Sequence, residues 1–174
     1  MNFDLNDSIE ILERTPMVVT ALLSGLSNRW LFNNEGNDSW SPYDIIGHYI
    51  EGEKTDWIPR MRIILSNDDD KRFVRFDRFA QLNNDKNKPI DVLLNEFSEW
   101  RRKNILELKG ANVDEEKLNK KGIHPAFGEV TLRQLLAAWV AHDLNHIGQI
   151  SRVMAKQFKD EIGPWTKYIS IVNK

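Results

Sequence analysis

One stretch decides the fold: TLRQLLAAWVAHDLNHIGQISRVMAKQF, residues 131–158. It opens with a capping box, in which the side chains of Thr131 and Gln134 can each bond the other residue's backbone N–H group. Its apolar residues recur at intervals of three and four, which is the period of an amphipathic α-helix. The sequence therefore predicts one long helix from residue 131 to about residue 158.

Three further segments repeat this helical period, and they cover residues 7–26, 42–66 and 89–109. In the first, Asp7 is a candidate N-cap, and Pro16 either kinks one helix or separates two shorter ones. In the second, Ser41 is the predicted N-cap and Pro59 is expected to bend the helix. Gly110 ends the third. Four long amphipathic segments predict an all-α four-helix bundle, formed by residues 1–174 as a single domain.

The connections between these helices have less regular patterns. Residues 71–88 contain three phenylalanines at intervals of three, which predicts an irregular connection held to the core by aromatic side chains. His124 lies in a polar loop before the last long helix. The run Trp100-Arg101-Arg102-Lys103 is interpreted as a basic face exposed to solvent. After the Gly-Pro break at residues 163–164, a short helical tail is expected.

The composition excludes several classes of function. With Lys+Arg 24 against Asp+Glu 26, the chain has no excess of basic residues for nucleic acid as its main partner. Zero cysteines exclude disulfides, a protein thiol nucleophile and cysteine-ligated metal sites. The longest apolar run, residues 135–141, is too short to span a membrane, and the N-terminus is acidic where a signal peptide is basic. These features predict a cytoplasmic protein without a membrane partner.

Two of the four histidines lie on the last long helix. His142 and His146 are four residues apart, so their Cβ atoms lie roughly 5–6 Å apart on one helix face. That face forms an inward stripe of Leu135, Trp139, His142, His146, Gln149 and Val153. Two adjacent buried imidazoles need polar partners, which could be hydrogen-bonding groups of the core or one metal ion. Trp139 is expected to form an aromatic wall beside such an ion.

A third histidine, His48, lies on the second helix between Ile45 and Gly52 on a comparable face. Gly52 has no side chain, so another helix or a ligand could approach the backbone there. Alone, His48 could be a hydrogen-bonded core histidine. Together with His142 and His146, it forms a candidate site for Zn²⁺, Ni²⁺ or Fe²⁺ that leaves a position open for water or substrate.

Several short motifs occur in an order that matches a known family. They are Glu13-Arg14-Thr15-Pro16, Trp40-Ser41-Pro42 followed by His48 and Glu53, and His142-Asp143-x-x-His146-x-x-Gln149-Ile150-x-Arg152. Over nearly its whole length the chain resembles the DinB-like (YfiT-like) superfamily. The resemblance implies an up-down-down-up four-helix bundle with a facial three-histidine metal site, which corresponds to His48, His142 and His146.

The resemblance leaves the reaction open. Members of this superfamily include thiol-dependent S-transferases and isomerases that use bacillithiol, mycothiol or glutathione, and also proteins described as metal-dependent hydrolases. Our first hypothesis is therefore transfer of a low-molecular-weight thiol to a small-molecule electrophile at the metal. The second is hydrolysis by metal-activated water. The third is a non-enzymatic, stress-related binding protein, with a homodimer through an exposed helix face as one arrangement.

Two carboxylates are candidates for catalysis or for orienting the metal ligands. Glu51 is one turn from His48, and Asp143 directly follows His142. Either carboxylate could accept the N–H of a metal-bound imidazole or act as a general base. Asp143 is rotated by about 100° from His142 around the helix, so a salt bridge to a neighbouring helix is the favoured alternative for it.

Three other polar residues have mainly structural interpretations. Glu53 and Arg60 are seven residues apart on the second helix, and they are expected to form an ion pair or a shared bridge to another helix. His124 could line the mouth of the site, although a His-Pro pair in a loop is more often a surface turn.

Overall fold

A computed structural model describes residues 2–36, 39–83 and 86–173. These ranges contain α1 (Leu5–Leu23), α2 (Asn28–Phe32), α3 (Pro42–Thr55), α4 (Trp57–Leu65), α5 (Ile90–Gly110), α6 (Glu115–Leu118), β1 (Lys121–His124), β2 (Gly128–Thr131) and α7 (Leu132–Lys156). Short 3₁₀ helices occupy Ala80–Asn83, Gly163–Lys167 and Ser170–Asn173. No helix in these ranges is long and apolar enough to cross a membrane.

Four helices build the bundle. Helices α1 and α3 each pack against both α5 and α7, so α1 lies diagonally opposite α3. The predicted all-α bundle with a short helical tail is confirmed. The capping box at the start of α7 is also present, with Gln134 N donating to Thr131 Oγ1 at 3.2 Å and Thr131 N donating to Gln134 Oε1 at 2.9 Å.

The core consists of two apolar clusters. One contains Ile9, Leu12, Ile58, Met61, Leu108 and Leu136 among its members, and the other contains Val19, Leu23, Ile46, Leu94, Phe97 and Ile150. Buried polar residues separate the two clusters along three of the helices: Thr15 on α1, Arg101 on α5 and Asp143 on α7. The bundle therefore contains a polar layer that positions the candidate site.

Helix α1 is continuous through Pro16, which settles the two readings of this segment in favour of one helix. Its N-cap is Asp4 rather than Asp7, because the Asp4 side chain accepts from the N–H groups of residues 6 and 7. Pro16 has no N–H to donate to the carbonyl four residues earlier, on Leu12. That carbonyl accepts instead from Arg101 Nη1 at 2.6 Å. The proline thus frees an acceptor that a neighbouring helix uses.

The predicted second helix is two helices, α3 and α4, which are separated at Asp56. Pro59 occupies the first turn of α4, where a missing N–H is tolerated, and it cannot donate to the carbonyl of Thr55 at the end of α3. The interruption replaces the gentle bend predicted at Pro59. It brings the carboxylate of Asp56 into the interior, next to the candidate site.

Residues 121–131, predicted as a polar loop, form an antiparallel β-hairpin. Strand β1 also pairs with residues 71–73, since Phe73 N donates to Ile123 O at 2.9 Å and Ile123 N donates to Lys71 O at 2.8 Å. A Cβ at position 122 would lie 2.3 Å from Phe73 Cε1, so this approach requires Gly122. Phe73 is buried as predicted, and this pairing holds the following residues 75–79 beside the candidate site.

Candidate metal centre

Helices α3 and α7 bring together all three histidines of the predicted site. One candidate ligand atom from each of His48, His142 and His146 lies within 4.8 Å of the other two, in a group that could hold a metal ion. His48 Nε2 and His142 Nε2 are 3.0 Å apart. Two neutral imidazole nitrogens at this distance share at most one proton, whereas a cation between them would accept both lone pairs. The donor set therefore fits a divalent transition metal.

Burial keeps two of these imidazoles neutral. His48 is 4% exposed and His146 is 8% exposed. Burial, followed by repulsion from the neighbouring imidazoles, lowers the pKa of His48 to about 3. Burial and His142 likewise lower the pKa of His146 to about 4. Both side chains are uncharged near neutral pH, which is the form that binds a metal.

The rings are oriented to different degrees. His146 Nδ1 lies 2.7 Å from Gln149 Oε1, which can only accept, so His146 donates from Nδ1 and keeps the Nε2 lone pair for the site. His142 Nδ1 is 3.7 Å from Asp143 Oδ1, which is beyond hydrogen-bonding distance. In the described part of the chain, the buried Nδ1 atoms of His48 and His142 have no hydrogen-bond partner.

A cavity of about 580 Å³ opens onto the three histidines. The Trp40 ring lies 4.7 Å from His48 and is stacked 6.0 Å from His146, and it forms an aromatic wall together with Phe76 and Phe79. Trp139 is not part of this wall, contrary to the expectation from the sequence. It is fully buried one layer deeper, stacked on Trp57, whose ring is 5.1 Å from His142.

Asp56 is a functional candidate that the sequence analysis missed. It lines the histidine cavity although it is buried, and its Oδ1 lies 2.6 Å from Arg60 Nε. Burial raises the pKa of the Asp56 carboxyl, against the opposing effect of Arg60. A carboxylate with a raised pKa beside an open metal position is suited to accept a proton. The signal for this position in the sequence was Pro59, which lies in the first turn of α4, three residues after Asp56.

Arg101 lies at the centre of the polar layer. Its guanidinium is 2% exposed and donates to Glu53 Oε1 at 2.8 Å and to Asp143 Oδ2 at 2.6 Å. Glu53 also accepts from Asn104 Nδ2 at 2.9 Å and from Trp139 Nε1 at 3.2 Å. The prediction that residues 100–103 form an exposed basic face is therefore wrong for Arg101.

This network contains two carboxylates for one guanidinium. Burial raises the pKa of Glu53, and Arg101 only partly opposes this effect. Burial also acts to raise the pKa of Asp143, but Arg101 outweighs it and the pKa is lowered. The Asp143 backbone carbonyl accepts from Tyr49 Oη at 2.7 Å. This hydrogen bond joins α7 to α3 next to His142 and His48. The layer thus fixes the backbones that carry the ligands.

Comparisons with known proteins agree with this architecture. The family model of the DinB superfamily matches residues 11–150. The chain belongs to the DinB superfamily. YfiT from Bacillus subtilis, whose solved structure is described as a probable metal-dependent hydrolase with an unusual four-helix bundle topology, is 15% identical. The match covers 90% of each chain with a TM-score of 0.76, and it confirms the predicted up-down-down-up bundle. No curated protein matches the chain.

The remaining predicted residues of this DinB superfamily protein lie outside the histidine cavity. Glu51 lines a different cavity, of about 260 Å³, with Lys54 and Glu96. Asp143 lies behind His142 and pairs with Arg101, which is the salt bridge to a neighbouring helix that was favoured for it. His124 is not among the residues lining the histidine cavity and stacks 4.3 Å from Phe127 in the hairpin turn.

Two other expectations concern the predicted second helix. Glu53 and Arg60 do not pair with each other, because Glu53 bridges to Arg101 on α5 while Arg60 pairs with Asp56 across the helix interruption. At Gly52, the approach of another helix is observed, because a Cβ at position 52 would lie 3.2 Å from Nε1 of Trp57, the first residue of α4.

Acid should destabilise the metal-free DinB superfamily protein through its histidines. Because the pKa values of His48 and His146 fall to about 3 and about 4 on folding, the unfolded chain binds more protons below pH 6.5. Their contribution is complete above pH 6.5 and is lost as the pH falls toward 4. We expect a loss on the order of 1–2 kcal/mol per histidine between pH 7 and pH 5.

Urea unfolding of chelator-treated protein at the two pH values measures this loss. The double variant His48→Gln/His146→Gln should have a flatter pH dependence. Glu53 and Asp56, whose pKa values are raised, act in the opposite direction and are unchanged in the variant. An equal slope in both proteins would contradict the expectation.

Proposed function

We propose that this DinB superfamily protein is a metal-dependent enzyme that transfers a low-molecular-weight thiol to a small electrophile. The metal, Zn²⁺, Ni²⁺ or Fe²⁺, would be held by His48, His142 and His146. The observation that carries the proposal is the opening of three clustered imidazoles onto a 580 Å³ cavity with Asp56 on its wall. Three protein ligands leave a coordination position for an exogenous group, as in catalytic sites.

A divalent cation held by the three histidines would lower the pKa of a coordinated thiol or water. The residues of the chain supply the other steps. Asp56 accepts the S–H proton, Arg60 holds the Asp56 carboxylate in place, and the sulfur then bonds to the electrophilic carbon. With a halide, the leaving group departs with the electron pair of the broken bond. With an epoxide or an activated alkene, that electron pair goes to the ring oxygen or to the carbon next to the activating group, and this atom takes the proton back from Asp56. Trp40 and the phenylalanines of residues 75–79 contact the apolar part of the electrophile and exclude water.

The thiol in this proposal comes from outside the protein. The chain has zero cysteines, so it contains no nucleophilic sulfur of its own and no thiol that an electrophile could modify. Glutathione, bacillithiol and mycothiol are the candidates that the family resemblance implies. We propose that the protein acts in the cytoplasm, where low-molecular-weight thiols are kept reduced, on small molecules rather than nucleic acids.

Hydrolysis is the second candidate. The position of Asp56 supports it as well, because this carboxylate could equally accept a proton from a water bound at the open position. YfiT is described as a probable metal-dependent hydrolase, although at 15% identity the likeness supports the fold alone. The two candidates differ in whether a thiol is consumed.

Thiol consumption tests the function. We expect the metal-loaded protein to consume one of the three thiols with an epoxide, a halide or an activated alkene, and His142→Ala to abolish the reaction. Asp56→Asn should lower the rate by about 10²–10⁴-fold with metal content unchanged, because it removes the proton acceptor. The control Asp69→Asn changes an exposed carboxylate and should react like the wild type.

Two outcomes would contradict the transferase. Equal thiol consumption by wild type and His142→Ala would exclude the proposed centre. Metal-dependent cleavage of esters, amides or phosphoesters without thiol consumption would favour the hydrolase. A protein with neither activity and no metal would fit the third hypothesis, a non-enzymatic binding protein.

A further inference from the structure

A second cavity, of about 870 Å³, adjoins the histidine cavity. Both cavities are lined by Asp56, Phe76, Arg78 and Phe79, so a ligand at the histidines can extend into the second cavity past these side chains. The opposite wall of the second cavity is the turn of the hairpin, residues 124–127. We call this second cavity the hairpin groove.

The walls of the hairpin groove are held by the backbone. The pairing of residues 71–73 with β1 fixes the start of the segment that carries Arg75 and Arg78. On the other side, the His124 ring accepts from the N–H groups of Ala126 and Phe127 through Nδ1, at 3.1 and 3.3 Å. The groove is thus built from two ordered segments that touch each other.

Arg75 and Arg78 differ from most arginines of the chain because they have no salt-bridge partner among the described residues. Within residues 2–36, 39–83 and 86–173, no carboxylate lies within 4.0 Å of Arg75 or Arg78. Most other arginines do have such a partner: Arg14, Arg60, Arg62, Arg72, Arg101, Arg133 and Arg152. Asp77 lies between the two, but its Oδ1 accepts from Phe79 N at 3.0 Å. Two free guanidinium groups at the mouth of a cavity are suited to bind an anion.

We propose that Arg75 and Arg78 bind an anionic group, a carboxylate or a phosphate, on the molecule that reacts at the histidines. This inference rests on the proposed function and specifies its substrate class. The reacting atom lies at the three imidazoles, an apolar portion contacts Phe76 and Phe79, and the anionic end lies in the hairpin groove. The guanidinium of Arg78, which is 5.0 Å from the Phe79 ring, lies at the boundary of the two cavities.

Thiols that differ only in charge test this inference. The probes are 3-mercaptopropionate and 6-mercaptohexanoate, each beside its neutral methyl ester, titrated by calorimetry into Zn²⁺-loaded protein at low ionic strength. We expect the acid of matching length to bind about tenfold more tightly than its ester. Arg75→Gln and Arg78→Gln should each reduce this preference, and the double variant should remove it without loss of Zn²⁺.

Arg102→Gln is the matched control. Arg102 is also an exposed arginine that lines a cavity and has no carboxylate within 4.0 Å in the described residues, but its cavity lies along α5, away from the histidines. Equal binding of acid and ester, or an acid preference that persists in the double variant, would overturn the inference while the proposed function stands.

Titrating succinate and, separately, inorganic phosphate into metal-free protein shows whether the two arginines bind a carboxylate or a phosphate more tightly. It also distinguishes the two ways of failing. If the protein takes up no Zn²⁺, the proposed function is wrong, and the inference is then judged by whether the double variant loses anion binding that Arg102→Gln retains.

Discussion

Replacing Arg101 with methionine is expected to lower the free energy of unfolding by about 3–5 kcal/mol. The guanidinium is the cationic partner of Glu53 and Asp143, which are themselves 1% and 0% exposed. It also donates to the Leu12 carbonyl that Pro16 leaves without a helical partner. Methionine fills similar space but donates no hydrogen bond, so two buried carboxyl groups lose their cationic partner and the Leu12 carbonyl loses its donor. Urea unfolding at pH 7 measures the loss.

The adjacent residue provides the control for this experiment. Arg102→Met changes an exposed arginine on the same helix and should alter the free energy of unfolding by at most about 0.5 kcal/mol. The triple variant Arg101→Met/Glu53→Gln/Asp143→Asn should recover part of the lost stability, because no charge is then left buried. If Arg101→Met lowered the free energy of unfolding as little as Arg102→Met does, the network would contribute nothing to stability.

The buried position of Arg101 could have been predicted from its spacing. Leu94, Phe97, Arg101, Asn104 and Leu108 follow each other at intervals of three and four and are all buried on α5. A run of three basic residues suggested a solvent face, but successive residues of a helix point about 100° apart and cannot share one face. The helical period was the more informative signal, and the charge of the side chain was the less informative one.

The histidine cluster was predictable because the signal is local. His142 and His146 lie on one face of the helix with the clearest start signal, and His48 follows a well-defined N-cap by seven residues. Once helices of this length must bury their apolar faces against each other, inward-facing polar residues of two helices meet.

The walls of the cavity were not predictable in the same way. They come from residues 75–79 and from the hairpin, whose strands are four residues each and too short for an alternating pattern. The pairing of residues 71–73 with β1 joins Phe73 to Ile123, fifty residues later in the chain. It depends on the close approach of Phe73 to Gly122. Likewise, Asp56 reaches the cavity only because the helix is interrupted, which a smooth bend at Pro59 would not have achieved.

The polar layer connects a feature of the sequence to the candidate site. Pro16 frees the Leu12 carbonyl, this carbonyl and Asp143 both accept from Arg101 Nη1, and Asp143 lies beside His142. Arg101 lowers the pKa of Asp143, so this carboxylate stays ionised and holds its pairing across the bundle directly beside His142. The residues that stabilise the bundle therefore also position the candidate metal ligands.

Binding of a divalent metal is accordingly expected to stabilise the fold, and each histidine should be required for the effect. Zn²⁺ at 100 times its dissociation constant should raise the free energy of unfolding by about 2.7 kcal/mol, since the unfolded chain does not hold the three imidazoles together. In His48→Ala, His142→Ala and His146→Ala this gain should be lost, because two imidazoles bind the ion far more weakly than three. Metal content by mass spectrometry and thermal unfolding with and without chelator measure both effects.

The fourth histidine makes this test specific. His124→Ala removes an imidazole of the hairpin turn, which stacks on Phe127 and does not line the histidine cavity, so this variant should bind Zn²⁺ and gain stability like the wild type. A gain that survives in the three cluster variants would indicate adventitious binding elsewhere. A wild type that takes up neither Zn²⁺ nor Ni²⁺ would exclude the metal centre. The close approach of His48 Nε2 to His142 Nε2 would then be explained by one shared proton.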